Sequence, residues 1–335
     1  MNPVSANTEP SAVLRNGFFQ GLEQPLQQVE ETLKNELRSD TNFVDELLTY
    51  VGSMGGKRMR PAIMLLSAQA VGRVNQDHIT LAAVVEMIHM ATLVHDDILD
   101  DAETRRHRQT VNKKWDNQSS VLLGDYLFTH SFYLASTLDT TYGCRIIGQS
   151  TNKVCAGELQ QVGNRGNLRL TEEEYFEIIN GKTAELCACA THLGAYYAGA
   201  DATLVEKFER FGRELGLAFQ IADDLLDLTG DEKKTGKSLG SDLENQKLTL
   251  PLIHLVRSAE PEDQRLVLRI LDEPITAESR RVLQNQLDKY GSLEYAKQTA
   301  ISLAHSAVAQ LVDVADSKAK DTLVAMAEFV VARTH

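Results

Sequence analysis

LAAVVEMIHMATLVHDDILDD, residues 81–101, sets apolar side chains at Val84, Met87, Ile88 and Ala91 and closes on four aspartates. Spacing of i, i+3, i+4 and i+7 lines one face of a 3.6-residue helix. The run is interrupted by Glu86, His89, His95, Asp96 and Asp97, so it reads as a core helix with a polar end and not as a membrane span. Leu215, Phe219, Ala222 and Leu226 repeat the spacing further along. All seven prolines lie at or before Pro61 or at or after Pro251, leaving residues 62 to 250 free of the residue that most disrupts helix interiors. No regular period-two alternation bounded by turn dipeptides competes with that pattern. The prediction is an all-α bundle of about ten or more helices. Its breaks fall at Gly52–Gly56, Gly72–Asp77, Arg105–Ser119, Gly163–Thr171, Gly199–Thr203, Thr229–Asn245 and Glu260–Asp263. With no linker-like composition shift, residues 13–335 form one domain behind a disordered lead, residues 1–12.

In 335 residues, Asp and Glu exceed Lys and Arg by 47 to 34, a net charge of −13. That balance argues against unspecific binding of nucleic acid or an anionic membrane. The N-terminus lacks the charged start and apolar core of a secretory signal, so a cytoplasmic location is expected. Cys144, Cys155, Cys187 and Cys189 include no C-x-x-C pair and read as buried, reduced thiols.

Asp96, Asp97 and Asp100 form a D-D-x-x-D group, and Asp223, Asp224 and Asp227 form a second one in FQIADDLLD, residues 219–227. Residues four apart on a helix share a face, so Asp96 and Asp100 project together; so do Gln220, Asp223, Asp224 and Asp227. Like charges so placed are costly unless water or a cation neutralises them. Two acidic faces suit a hard cation, and Mg2+ commonly takes one or two carboxylates together with substrate phosphates. The basic residues fit a bound diphosphate. GGKRMRP (55–61) sets Lys57 and Arg60 beside a glycine-rich turn, and TRRHR (104–108) follows the first acidic group. Lys182 and Thr183 read as the start of another helix, and Lys237 and Lys247 flank the polar loop after the second acidic group. Arg binds phosphate by a fork of donors and Lys as a point charge. The loop over residues 229–242 is polar and glycine-punctuated, a candidate lid over a reactive site.

These motifs together resemble the trans-polyprenyl diphosphate synthases over the chain from about residue 20. GGKRMRP resembles the family's G-K-x-x-R-P element, DDILD and DDLLD its two aspartate-rich motifs; GELQQ (157–161) and KLTLP (247–251) match further recurring segments. The resemblance implies an all-α isoprenoid synthase fold around a central substrate cavity, working as a homodimer. It also implies Mg2+-dependent head-to-tail condensation of isopentenyl diphosphate with an allylic diphosphate such as geranyl or farnesyl diphosphate. Carried over by position, Asp96, Asp100 and Asp223 would hold Mg2+, with Asp97, Asp224 and Asp227 supporting that shell. Arg105, Lys182, Lys237 and Lys247 would hold the allylic diphosphate, and Lys57, Arg60, His89 and Arg106 isopentenyl diphosphate. Thr183 and Gln220 would face the developing cation and the metal shell.

Thr92, His89, Ile88 and Val85 descend one helix face below Asp96. In the family, short-chain enzymes often carry aromatic rings four or five residues before the first aspartate, and here those positions are Thr92 and Ala91. Small side chains there imply an open tunnel and a long product of the kind used as a quinone side chain, with Phe128 and Phe132 as the candidate floor and transient membrane contact for product release. The alternatives are a geranylgeranyl or farnesyl diphosphate synthase, a non-catalytic subunit that regulates a partner synthase, and a terpene cyclase. A cyclase would not need Lys57, Arg60 and Arg106 for a second diphosphate.

Overall fold

The computed structural model describes residues 21–229 and 241–332. The expected lead, residues 1–12, lies outside them, as do Lys237 and most of the candidate lid. The chain runs α1 (Glu23–Glu36), α2 (Asn42–Gly52), α3 (Met59–Val71), α4 (Gln76–Leu99), β1 (Thr104–Arg105), β2 (Arg108–Gln109), α5 (Val111–Lys114), α6 (Asn117–Ser136) and α7 (Tyr142–Gly163). It continues with α8 (Glu172–Ile179), a π-helical turn (Asn180–Ala184), α9 (Glu185–Tyr197), α10 (Ala202–Thr229), α11 (Ser241–Glu244) and α12 (Leu250–Ser258). It ends with α13 (Pro261–Asp272), α14 (Ala277–Lys289), α15 (Ser292–Gln310) and α16 (Lys318–Ala332). The all-α expectation holds, with one addition. Residues 104–109, expected as irregular, pair as a two-stranded antiparallel hairpin, Thr104 opposite Gln109 and Arg105 opposite Arg108. Arg106 and His107 make its two-residue turn with φ of 52° and 62°. Primed hairpin turns require that left-handed backbone, usually supplied by Gly or Asn; neither is present, which is why the pattern hides from a sequence reading.

α4 lies at the centre because its sequence is apolar on nearly every side. Leu81 to Val85, Met87 and Ile88 are each 0% exposed, and α1, α3, α6 and α9 pack around the helix. Its length and apolarity would suffice to cross a membrane, but 72% of that window is buried inside the fold. Asn75 starts the helix as a reciprocal cap: its side chain accepts from the His78 N–H, and its own N–H donates to His78 Nδ1. The other ring nitrogen of His78 lies 3.1 Å from the Gly194 carbonyl. A ring accepting at one nitrogen and donating at the other is neutral, in line with burial lowering the His78 pKa. α10, the longest helix, packs on α9 and α15.

Of the cysteines expected to be buried, Cys189 is, Cys144 and Cys187 are half-buried, and Cys155 is exposed. Cys155 falls on the outer face of α7, where helical phase sets it away from the neighbouring helices.

α7 crosses the π turn through two glycines. A Cβ on Gly157 would lie 2.5 Å from the Lys182 nitrogen and 2.9 Å from the Gly181 Cα. One on Gly181 would lie 3.0 Å from the Gly157 Cα and the Lys153 carbonyl. Backbone meets backbone, so no side chain can yield. Gly157→Ala is expected to cost about 1–3 kcal/mol in unfolding free energy by overpacking, measured by urea denaturation.

Candidate active site

The two acidic groups close the C-terminal ends of α4 and α10. A helix C-terminus already carries partial negative charge, so carboxylates there add repulsion that something else must offset. On α4 the offset comes from cations on four separate segments. Lys182, on the π turn, lies 2.6 Å from Glu158 and 3.7 Å from Asp96. Arg105, on the hairpin, binds Asp97 at 2.7 Å. Lys247 and Arg165 both bind Asp100, at 2.9 Å. Burial raises the Asp96 pKa to about 6, with Glu158 and Asp100 adding to the rise against the lowering effect of Lys182.

The two groups converge on Asp242, at the start of α11. Burial, Asp227, Asp223 and Asp100 push its pKa up to about 6, opposed by Lys247. Its backbone N–H donates to Asp227 at 3.1 Å.

Neighbouring aspartates do different work, because consecutive helix residues point about 100° apart. Asp97 is 3% exposed and engaged with Arg105, and Asp224 is 4% exposed. Asp224 accepts from the Tyr175 hydroxyl at 2.6 Å and from Gln220 Nε2 at 2.7 Å, while Gln220 accepts from the Thr183 hydroxyl at 2.7 Å. Asp97 and Asp224, expected to support a metal shell, therefore anchor the hairpin and a buried chain of hydrogen bonds. Burial holds the Asp224 carboxyl well above the usual range, aided by Asp242 and opposed by these two donors. Lys182 and Thr183 do not begin a helix as expected. They ride on the π turn between α8 and α9, and such bulges recur at functional sites.

Among the described residues no group of three His, Cys, Asp or Glu side chains closes around a single point. Asp96, Asp100 and Asp223 carry the oxygen donors that a hard cation such as Mg2+ takes, commonly one or two carboxylates together with phosphate oxygens.

A second subsite surrounds His89. Its ring is driven well toward the neutral form, first by burial and then by Arg60, Arg106, Arg105 and Arg58. The structure thus gathers three of the four residues expected for isopentenyl diphosphate, His89, Arg60 and Arg106; Lys57 is exposed on the loop before α3. Arg106 Nη1 donates to the Gly55 carbonyl, tying hairpin to loop. Arg60 Nε is buried without a hydrogen-bond partner among the described residues. An orphaned guanidinium donor among other cations is a place prepared for an anion. The loop is held from beneath by Arg58, left-handed at φ 50°, which binds Glu30 at 2.6 Å and buried Glu86 at 2.7 Å. These two carboxylates keep Arg58 charged despite its burial.

Of the candidate chain-length residues, Ile88 and Ala91 are 0% exposed on α4. Thr92 is half-buried and donates its hydroxyl to the His89 carbonyl. Phe128 stacks on His95 at 6.2 Å, and Phe132 packs against the same core. Sequence reading missed Glu158, Arg165, Tyr175, Asp242 and the Glu30–Arg58–Glu86 clamp. Glu158, Arg58 and Asp242 carried a signal, because they fall inside the GELQQ, GGKRMRP and 229–242 segments. Tyr175→Phe should cost about 1–3 kcal/mol by stripping a donor from buried Asp224, read as a lowered urea midpoint.

The polyprenyl synthetase family profile matches residues 41–290. The octaprenyl diphosphate synthase of Escherichia coli is 34% identical over 92% of this chain and 96% of that protein. Among solved structures, a decaprenyl diphosphate synthase from Rhodobacter capsulatus shares the fold with a TM-score of 0.90, at 34% identity over 95% of this chain and 98% of that one. A Caulobacter crescentus polyprenyl synthase complexed with calcium and isoprenyl diphosphate also reaches 0.90, at 32% identity over 98% and 99% of the two chains. Likeness that runs through nearly the whole length of each partner, in sequence and in backbone, means that the chain belongs to the polyprenyl synthetase family.

Proposed function

We propose that the chain condenses isopentenyl diphosphate head-to-tail with an allylic diphosphate, geranyl or farnesyl, and repeats the step to build a long all-trans polyprenyl diphosphate. The observation that carries this reading is the pairing of two subsites: an acidic one between α4 and α10, and an arginine-rich one around His89. A protein that handled one diphosphate would need only the first.

In the acidic subsite, Asp96, Asp100 and Asp223 would hold Mg2+, which supplies Lewis-acid stabilisation to a leaving diphosphate. Lys182 and Lys247, already at the cleft, would take up diphosphate oxygens, with Lys237 and Arg105 the further candidates. In the cationic subsite, Arg60, Arg106 and neutral His89 would grip the second diphosphate, with Lys57 from the loop. When the allylic carbon–oxygen bond breaks, the double bond of isopentenyl diphosphate attacks the allylic cation and a proton leaves the adduct. No protein nucleophile is required, and the departing diphosphate is the natural acceptor of the proton. The Thr183 hydroxyl and Gln220 carbonyl oxygen are neutral dipoles that would face the developing cation without quenching it, fixed in place by Asp224 and Tyr175.

Small Ala91 and Thr92 support a long product, and Phe132 is the proposed floor. A homodimer is supported by apolar side chains left on the surface of α6 and adjacent α7, with Leu122 61%, Tyr133 63% and Leu159 72% exposed; its test is the mass in sedimentation equilibrium.

With Mg2+, farnesyl diphosphate and labelled isopentenyl diphosphate, the expected product ladder ends at hexaprenyl or beyond. A stop at geranylgeranyl would overturn the product length, and no condensation with any allylic primer would favour a non-catalytic subunit. Asp96→Ala should abolish turnover while leaving the circular dichroism spectrum unchanged; near-normal turnover would sink the metal assignment. Phe132→Ala should lengthen the product, and an unchanged ladder would leave that ring as core packing.

A further inference from the structure

Arg165 has no place in the reaction as described, yet it reaches the acidic subsite. It follows α7, and its Nη2 donates to Asp100 Oδ1 at 2.9 Å. Lys247 approaches the same carboxylate from the segment before α12, at 3.0 Å to Oδ1 and 2.9 Å to Oδ2. The two segments are joined directly, since the Gly166 N–H donates to the Gln246 carbonyl at 3.0 Å. Both residues of that joint are left-handed, Gly166 at φ 73° and Gln246 at φ 53°. A non-glycine residue held there, as Gln246 is, is a strained choice that the surrounding structure must enforce. The joint presents two cations side by side, one residue beyond Gln246 and one before Gly166.

One carboxylate therefore faces two positive charges, an excess of one charge for these three groups that the nearby Asp242 carboxyl tempers from the Lys247 side. Arg165 and Asp100 are 29% and 24% exposed and Lys247 14%, so the excess is only partly screened. Arg165 Nε is buried and has no hydrogen-bond partner among the described residues. The guanidinium is thus bound by one corner, and a donor that could complete a fork is unused. A planar fork with an idle donor matches a phosphate better than the single carboxylate oxygen it now holds.

We propose that Arg165 is a diphosphate-binding residue that guards Asp100: it occupies this metal-ligand carboxylate while the site is empty and turns its fork to a diphosphate oxygen when Asp100 is taken by the metal. The inference rests on the proposed function, in which Asp100 is a metal ligand. It separates Arg165 from a merely structural ion pair because it requires effects of opposite sign. In the empty enzyme Arg165 competes with the metal, whereas in the loaded enzyme it adds a contact.

The test compares the full-length wild type with Arg165→Gln, using Mn2+ alone followed by electron paramagnetic resonance and inorganic pyrophosphate with Mg2+ followed by calorimetry. Mn2+ alone should bind about threefold or more tightly to Arg165→Gln, the scale of a partly exposed ion pair removed from competition. Pyrophosphate with Mg2+ should bind roughly tenfold more weakly, the scale of one charge-assisted contact. Arg165→Lys keeps the charge and should return Mn2+ affinity toward wild type while restoring pyrophosphate affinity only in part; it carries the comparison if the Gln variant does not fold. Unchanged or weakened Mn2+ binding in folded Arg165→Gln, or unchanged pyrophosphate binding in either folded variant, overturns the proposal. Failure of the wild type itself to bind pyrophosphate with Mg2+ would instead remove the reading of the acidic subsite on which the proposal stands.

Discussion

Two helices ending in carboxylates face one another, and the rest of the site answers that repulsion. The C-termini of α4 and α10 would be unfavourable places for Asp96, Asp100 and Asp223 on dipole grounds alone. Lys182, Lys247, Arg105 and Arg165 come from four different segments to offset the charge at the end of α4. Each cation sits directly against a carboxylate. The cleft is thus held together by ion pairs between distant segments.

The two members of each aspartate doublet divide the labour. One side chain faces the cleft and the next is turned into the protein, where it accepts from Arg105 or from Tyr175 and Gln220. A buried carboxylate with two donors is rigid because each loss leaves a desolvated group unpaired. Through Gln220 and Thr183, the inward Asp224 reaches the π turn that carries Lys182. Gly157 and Gly181 bring α7 against that turn and set Glu158 beside Lys182. Positioning of the cleft is thereby transferred to packing in and beside the core.

The opposite subsite uses the same logic with the signs reversed. Arg60, Arg106 and Arg105 crowd around a neutral His89, while Glu86 and Glu30, on Arg58, and Asp97, on Arg105, temper that charge. An anion entering there meets donors already oriented. The chain's overall charge of −13 makes this local excess more telling, since it must overcome a repulsive long-range field.

Much of this was legible in the amino-acid sequence. The absence of proline from 62 to 250 and the period of Val84, Met87, Ile88 and Ala91 determined an all-α fold, since a helix is written in local spacing. Two D-D-x-x-D groups and the basic segments determined the chemistry, since residue type and i, i+4 geometry are also local. Tertiary structure alone decided which aspartate of each doublet faces the cleft, because that depends on which helix packs on which side. It alone decided that Lys182 rides on a π turn and that Arg106 turns a hairpin without glycine. It alone brought Arg165, 65 residues along the chain from Asp100, onto that carboxylate. Contacts between distant segments leave no periodic trace, because their partners are chosen by packing and charge balance in the folded chain.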